Sequence, residues 1–492
     1  MTRTTPASGP GAAAVSAAPL SLKSRVISGS MWTIGSYGAS QVLRFGGNVL
    51  LAAFLNKEAF GLMALVSLFN VGLTMFSDFG IGASIIQSKR GEDEAYLNTA
   101  WTIHVIRGFA LSLASVLLAR PFALLYGQPE LAAMIPAAGL AGIIQGFQST
   151  KWFSRNRQIA LARVTVIELV SQASGMVVMV LWCWVTRSVW GIVWGMLIGY
   201  VVKTVLTHTA LDGERNRFVI EREAKNEMIR FGRWIFISSS LSFLAGQIDR
   251  LLLGKLVPIG TLGLYNIAMG LASMPPMVVA ALVGGVLFPL LSHHSRTDTK
   301  AYERALLEAR RVMLEGGIFL FAGLALLSPA LFHLVYKPEY WESIWMAQLL
   351  PVAMWAQILM LSVERAVLAV GDSRTMAMAN AISLAAKIAV CYAGYVLAGI
   401  GGFIVGLALG FLAGHVPLVI FLRRRGIHVL RQDLPYTAVA VLLVGSSVLI
   451  QRWVVDGLTG SARVWTEIGT ASVVLIPLGI RAAKIGRAAI RR

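Results

Sequence analysis

Gln247, Asp249 and Arg250 stand together in the stretch AGQIDRLLLGKLVPIGTLGLY (245–265), inside a run that is otherwise apolar. On a helix Asp249 and Arg250 point about 100° apart and make no ideal pair with each other, whereas Gln247 and Arg250 share a face. Asp249 therefore needs a partner on another helix, or water. Isolated charges recur in other apolar runs: Arg44, Asp78, Arg107, Lys203, Lys387 and the adjacent Glu364 and Arg365. An ionisable side chain at membrane depth costs about 2.5–3.5 kcal/mol on insertion scales, so it faces a partner or a wet cavity. The chemistry such residues offer is binding and charge compensation. The glycine in GDSRT (371–375) reads as a turn and not as a phosphate loop.

Each position has a functional and a structural reading. Arg44, Arg107 and Lys387 lie near the middle of their runs and are expected to face a cavity. Gln247, Asp249 and Arg250 are expected to line it too, the alternative being an interhelical pair that locks their helix. Asp78, in FSDFGIG, is expected to cap or pin a helix break among glycines. Glu364 and Arg365 lie about a turn and a half from a run's end, where snorkelling or a structural pair is the simpler reading. His104, one turn before Arg107, reads as a structural hydrogen-bonder, and Lys203 fits either role. Near mid-span the cations Arg44, Arg107, Arg250 and Lys387 face only Asp249, a sign that suits an anionic passenger. The guanidinium fork suits phosphate oxygens in particular.

The elements that position these residues follow from composition. Hydrophobic residues make up 56% of the 492 and charged residues 14%, with a mean hydropathy of +0.70, outside the range of soluble globular chains. The apolar residues come in runs of roughly 20, the length that crosses a hydrocarbon core as a helix. About fourteen runs can be traced: 28–55, 60–86, 96–118, 132–152, 164–185, 189–210, 233–256, 262–291, 312–335, 344–370, 375–397, 401–422, 435–453 and 464–481. The expected fold is an all-α polytopic membrane protein.

The net charge of +19 is distributed by side. Alternate connections hold roughly 30 cations against 7, a positive-inside bias that places both termini in the cytoplasm. That distribution argues against a nucleic-acid partner and leaves membrane lipids as the charge's partner. Cys183 and Cys391 fall within runs, so neither a disulfide framework nor a metal site is indicated. Residues 1–24 read as a disordered cytoplasmic tail and not a signal peptide. The stretch 295–314 has the spacing of an interfacial amphipathic helix.

Two stretches repeat. FLNKEAFGLMAL (54–65) aligns with LVPIGTLGLYNI (256–267), pairing Gly61 with Gly263. WGIVWGMLIGY (190–200) aligns with GGFIVGLALGF (401–411), pairing glycines 191, 195 and 199 with 402, 406 and 410. Small residues at every fourth position let membrane helices approach closely. The expected organisation is a six-helix lobe over 25–211, a cytoplasmic linker at 212–232 and a second six-helix lobe over 233–422. Residues 423–492 add two helices and a basic tail. Six spans per half make the halves parallel, related by an axis along the membrane normal. Two lobes around a cleft are a transporter layout, not that of an enzyme, and no cofactor is expected.

Several stretches read together resemble the polysaccharide transporter family, the O-antigen and exopolysaccharide flippase branch of the multidrug/oligosaccharidyl-lipid/polysaccharide exporter superfamily. They are AFGLMALVSLFNVGLTMFSDFGIGASIIQSK (59–89), YGQPEL (126–131), QIDRLLLGKLVPIGTLGLYNIA (247–268), VLFPLLS (286–292) and AVLAVGDSR (366–374), spread over roughly 25–422. The resemblance implies two six-helix bundles facing each other. It implies movement of an undecaprenyl-pyrophosphate-linked oligosaccharide across the bacterial cytoplasmic membrane by alternating access, coupled to H⁺, Na⁺ or the membrane potential. A polysaccharide polymerase and glycosyltransferases are the protein partners it suggests. Asp249 and Arg250 match the family's seventh-span pattern; Arg44, Arg107, Arg250 and Lys387 are the substrate-binding candidates, and Asp249, Asp78, Gln247, Glu364 and Arg365 the coupling or gating candidates. A lipid II-type flippase and a cation or drug–proton antiporter of the same superfamily are the alternatives.

Overall fold

A computed structural model describes residues 22–490 apart from Phe79, Ile159, Ala160 and 283–298. The first half builds α1 (Leu22–Phe54), α2 (Lys57–Met75), the short α3 (Ile81–Gln87), α4 (Glu94–Tyr126), α5 (Leu131–Gly146), the short α6 (Lys151–Arg157), α7 (Leu161–Thr186) and α8 (Trp190–Thr209). The second half builds α9 (Arg222–Leu256), α10 (Ile259–Ala272), α11 (Met274–Leu282), α12 (Thr299–Val335), α13 (Ser343–Ala369) and α14 (Ser373–Arg424). Two further helices follow, α15 (Leu430–Val455) and α16 (Gly460–Ile490). The VLFPLLS stretch and the start of the expected interfacial helix lie outside the described residues, as do residues 1–21. From Thr299 onward that interfacial helix is continuous with α12.

By length and apolarity, ten helices among the described residues can cross a membrane, or eleven when α5 and α6, bent by 64°, count as one span. About fourteen runs were expected. Part of the difference lies in α1 and α9, where Gln41, Arg44 and Asn48 on one, and Ser238–Ser240, Gln247, Asp249 and Arg250 on the other, dilute the apolar character. The rest lies in α14, where the expected eleventh and twelfth spans meet at a break. Ala398 (φ −144°, ψ 26°) and Gly399 (φ 59°, ψ −145°) leave helical geometry there, and the positive φ is one that glycine adopts without a Cβ clash.

The repeat is visible as the same helix contact made twice. A Cβ on Gly195 of α8 would meet Met179 of α7 at 2.5 Å, and one on Gly406 would meet the Val390 carbonyl oxygen at 2.7 Å across the two arms of α14. Gly195 and Met179 stand 211 residues before Gly406 and Val390. The glycines let these helices touch backbone to backbone.

A second repeat contact joins the lobes. At the end bearing the short connections, α2 crosses α10. A Cβ on Gly263 would strike the Lys57 carbonyl oxygen and come within 2.9 Å of the Gly61 nitrogen; a Cβ on Gly61 would strike the Ile259 carbonyl group. Lys57 and Gly61 stand 202 residues before Ile259 and Gly263, so the crossing is reciprocal. Phe60 packs edge-on to Tyr340 with centroids 5.8 Å apart, and the Tyr340 hydroxyl donates to the Leu55 carbonyl at 2.7 Å.

Helix α9 bridges the lobes at the opposite, basic end. It touches the N-terminal lobe along its length: Ser88 donates to Glu227 at 2.7 Å, Phe243 packs edge-on to Phe76, and Lys255 donates to the Leu125 carbonyl at 2.7 Å. Its second half also lies on α10 and α14, where the Tyr395 hydroxyl donates to the Leu256 carbonyl at 2.7 Å. The helix begins at Arg222, inside the stretch expected to be linker. What remains of the linker is strapped to α4. The backbone N–H groups of Arg217, Val219 and Glu221 donate to the side chains of Asn98, Thr102 and Thr99 at 2.9–3.1 Å. Arg90 ties Asp93 and Glu221 together at 2.6 and 2.7 Å, which holds the Asp93 carboxyl below the usual range.

The last two helices are clamped to α12 by buried ions. Arg310, fully buried, meets Asp433 at 2.5 Å and donates to Ser362, while His415 meets the other Asp433 oxygen at 3.0 Å. Buried Glu315 accepts from Arg481 at 2.6 Å and from the Tyr436 hydroxyl at 3.0 Å.

Two stability measurements in detergent test this account. Gly263→Val is expected to lower the unfolding midpoint, since overpacking costs about 1–3 kcal/mol. Gly270→Val on the same helix has no described atom within 4 Å and is expected to change it far less; equal shifts would remove the crossing from the account. Arg310→Ala strands Asp433 and is expected to cost about 3–5 kcal/mol, most of it recovered in the double variant Arg310→Met, Asp433→Leu. A small loss in the single variant would show that the pair is solvated and not a clamp.

Candidate functional site

Most of the candidates singled out from sequence collect in two polar clusters, one per lobe. In the N-terminal lobe a cavity of about 270 Å³ lies between α2, α4, α5 and α8, lined in part by Asn70, His104, Arg107, Gln145 and Tyr200. Helix α2 ends at Met75, leaving its last carbonyls without helical partners. Arg107 on α4 answers one of them. It donates to the Thr74 carbonyl at 2.7 Å and to the Ser77 hydroxyl at 3.1 Å. Asp78 lies within electrostatic reach of Arg107. Its carboxylate accepts from the Gly80 N–H at 2.8 Å, where Gly80 takes φ 62° to start α3, and from Ser239 of α9 at 3.2 Å.

The same cavity holds an unanswered donor. Among the described residues, Asn70 Nδ2 has no hydrogen-bond partner although the atom is buried. Arg44, exposed on α1, lies within electrostatic reach of Tyr200. Lys203 pairs with Glu168 at 2.6 Å and sits 4.4 Å from the Trp152 ring centre. The N-terminal lobe thus brings Arg107 and His104 into one cavity and sets Arg44 beside the Tyr200 side of it.

In the C-terminal lobe α9 presents two faces. On the buried face Asp249, 6% exposed, accepts from the Tyr265 hydroxyl of α10 at 2.9 Å. Lys387 of α14, 4% exposed, lies within electrostatic reach of Asp249, donates to the Ala245 carbonyl at 3.4 Å and sits 3.6 Å from the Phe411 ring centre. On the half-buried face Arg250 donates to Gln247 at 2.6 Å and to Asn266 at 3.2 Å. Gly47 and Met176, the positions 202 and 211 residues before Asp249 and Lys387, lie in contact in the other lobe. One lobe therefore makes this contact apolar, and the other places a carboxylate and an ammonium within electrostatic reach of each other. Glu364 accepts from Asn380 at 3.5 Å, and Arg365 is exposed; both lie toward the basic end, apart from the Asp249 cluster.

A larger hollow of about 640 Å³ opens at the basic end between α3, α4 and α9, lined in part by Ser84, Gln87, Tyr96, Arg230, Arg233 and Ser238. Tyr96 is fully buried there, and its hydroxyl has no partner among the described residues. Tyr265, Asn266, Tyr96 and Arg230 were not singled out from sequence. Tyr265 and Asn266 had a signal, since Asp249 and Arg250 needed partners on a neighbouring helix and GLYNIA is the polar stretch nearest in the chain. Cations, amide groups and hydroxyls in these positions can bind and desolvate an anionic or polar group.

The polysaccharide biosynthesis protein family model matches residues 50–345. The chain is 27% identical over 279 residues to lipopolysaccharide biosynthesis protein WzxC of Escherichia coli (strain K12), covering 55% of each chain. It is 23% identical over 314 residues to succinoglycan biosynthesis transport protein ExoT of Rhizobium meliloti (strain 1021), covering 64% of this chain and 63% of that one. The chain thus spans between half and two thirds of the length of these curated relatives. In fold it is similar to the solved structure of the lipid II flippase MurJ in its inward closed conformation. The TM-score is 0.69 and the identity 14%, over 94% of this chain and all of that one. At that identity the likeness shows the two-lobed helical fold alone.

A double-mutant cycle tests the buried ionic contact. Asp249→Asn and Lys387→Met, alone and together, are expected to show a coupling of about 0.5–3 kcal/mol in detergent unfolding. Additive losses would mean that the two charges do not interact in the folded chain.

Proposed function

The chain belongs to the polysaccharide biosynthesis protein family, and on that footing we propose that it carries an undecaprenyl-pyrophosphate-linked oligosaccharide from the inner to the outer leaflet of a bacterial cytoplasmic membrane. The observation that supports this most is the pair of donor sets at membrane depth. Arg107 sits beside an unanswered Asn70 amide in one lobe, and the Arg250–Gln247–Asn266 face stands in the other. The basic end faces the cytoplasm, as the positive-inside bias requires.

The polyprenyl tail stays in the bilayer while the head group enters beside α9. Arg230 and Arg233 at the basic mouth, then Arg44, Arg107 and Arg250 at depth, offset the cost of taking the pyrophosphate out of water, their forks matching its oxygens. Lys387 reinforces this field from its buried place beside Asp249. The lobes rock about the α2–α10 crossing, closed in this structure at the short-loop end. Protonation of Asp249, or a sodium ion there or at Asp78, resets them by breaking the Tyr265–Asp249–Lys387 link or the Asp78–Ser239 link. Glu364 and Arg365 gate the basic end. The polymerase and glycosyltransferases that make and use the glycan act on either side of this step.

The test is flipping of a fluorescent undecaprenyl-pyrophosphate oligosaccharide in proteoliposomes, with a cationic dye as control cargo. Arg107→Ala and Arg250→Ala are each expected to slow the sugar lipid by about tenfold or more, the scale of a lost charged hydrogen bond, while the protein melts near the wild-type temperature. Dye movement without sugar-lipid movement would replace the flippase with a cation exporter. Equal sugar-lipid rates in wild type and both variants would keep the cargo and remove these two residues from the site.

A further inference from the structure

At the short-loop end, away from both polar clusters, a cavity of about 380 Å³ opens between α12, α13, α15 and α16. We propose that it is a binding site for a neutral saccharide unit, held between the Trp341 and Trp345 side chains and an unpartnered amide acceptor on Gln451. The inference stands on the cavity's own chemistry and does not depend on the transport reading.

The floor is fixed by hydrogen bonds that leave one atom unanswered. Gln451, 3% exposed, donates through Nε2 to the carbonyls of Leu326 at 3.1 Å and Glu467 at 2.9 Å. Both partners are acceptors, which assigns the amide orientation. Its Oε1 is buried and has no partner among the described residues, a costly state for a polar atom unless a donor arrives. Gln451 is among the residues that line the cavity, and a bound hydroxyl is the donor proposed for it.

The walls select the class of donor. Glu467, 2% exposed, accepts from Arg463 at 3.2 Å and lies 3.0 Å from His333 Nδ1, and Asp456 adds a second carboxylate to the lining. Two buried or bordering carboxylates disfavour a phosphate. Arg452, which donates to Gln348 at 2.8 Å, and Arg463 disfavour a metal or ammonium ion. A neutral polyol meets both signs, since each hydroxyl donates to an acceptor and accepts from a guanidinium. Trp341 and Trp345 each line the cavity while 40% and 37% exposed, and Trp341 is held by a hydrogen bond to the Tyr336 carbonyl at 3.2 Å and an edge contact with His333. Indole rings of this kind offer an apolar surface to the C–H face of a sugar ring beside a polar rim. The volume lies at the small end of the usual range for ligand pockets, about 300–1,000 Å³, which fits one or two sugar units.

Saturation-transfer NMR of the full chain in detergent, with methyl β-D-glucoside, methyl β-D-galactoside and glycerol 1-phosphate as separate probes, tests the site. At least one glycoside is expected to show transfer in the wild type, and Trp345→Ala and Gln451→Met are each expected to weaken it by about tenfold. Trp345→Phe, which keeps a ring, is expected to retain most of the signal and guards against a loss through misfolding, as does an unchanged melting temperature. Transfer from neither glycoside, transfer from glycerol 1-phosphate alone, or a glycoside signal equal in all variants would each overturn the proposal. The last result would leave the two tryptophans as anchors at the membrane interface. Since the assay reads free sugar, a failure here leaves the flipping result standing, and a failure to flip leaves this site standing.

Discussion

A charge inside a hydrocarbon layer has to be solvated by protein, and that constraint organises this molecule. Asp249 is answered by Tyr265 and the field of Lys387, Asp433 by Arg310 and His415, Glu315 by Arg481 and Tyr436, and Glu467 by Arg463 and His333. Each answer comes from a different helix or the next turn, so each also fixes how two elements sit. Two of these pairs bind the C-terminal helices to α12 at the basic end and one binds them at the short-loop end. Removing one member of such a pair strands the other in a low dielectric, which is why these contacts hold geometry even where they add little net stability.

Against that background, some buried polar groups are left without an answer. Asn70 in the N-terminal lobe, Tyr96 at the basic mouth and Gln451 at the short-loop end each leave a buried polar atom without a partner among the described residues, and each borders a cavity. Arg250, by contrast, is answered by Gln247 and Asn266 yet stays half-buried, so it can exchange those neutral partners for an anion. Neutral partners hold an arginine without cancelling its charge, and that distinction separates the Arg250 face from the buried Asp249 face one position away.

A helix contact repeated in the two halves supplies the frame on which these differences stand. The glycine contacts at Gly195 and Gly406 are the same packing repeated, and the crossing of α2 with α10 sets corresponding residues of the two halves against each other. Where the halves diverge they do so in chemistry and not in geometry: Gly47 against Met176 became Asp249 near Lys387. Helix α9 touches both lobes, the N-terminal one along its length and the C-terminal one over its second half. A movement between lobes must therefore pass through it.

The all-helical membrane class and the two-lobed fold were legible in the chain, because apolar run length and glycine spacing are local properties. The appended pair of helices was legible for the same reason. The clamp that holds that pair was not. Arg310 sat in a stretch that reads as an amphipathic surface helix and Asp433 just ahead of an apolar run, and nothing local says that residues 123 positions apart come within 2.5 Å. Asn98, Thr99 and Thr102 looked like ordinary polar residues near the start of a span until the linker backbone was found strapped to them. The sequence could show that Asp249 and Arg250 cannot serve each other, since a helix turns about 100° per residue. Only the tertiary structure decided that Asp249 turns to Tyr265 and is buried while Arg250 turns to Gln247 and Asn266 and keeps contact with the outside. Which face of a helix is buried depends on what packs against it, and that is settled by distant parts of the chain.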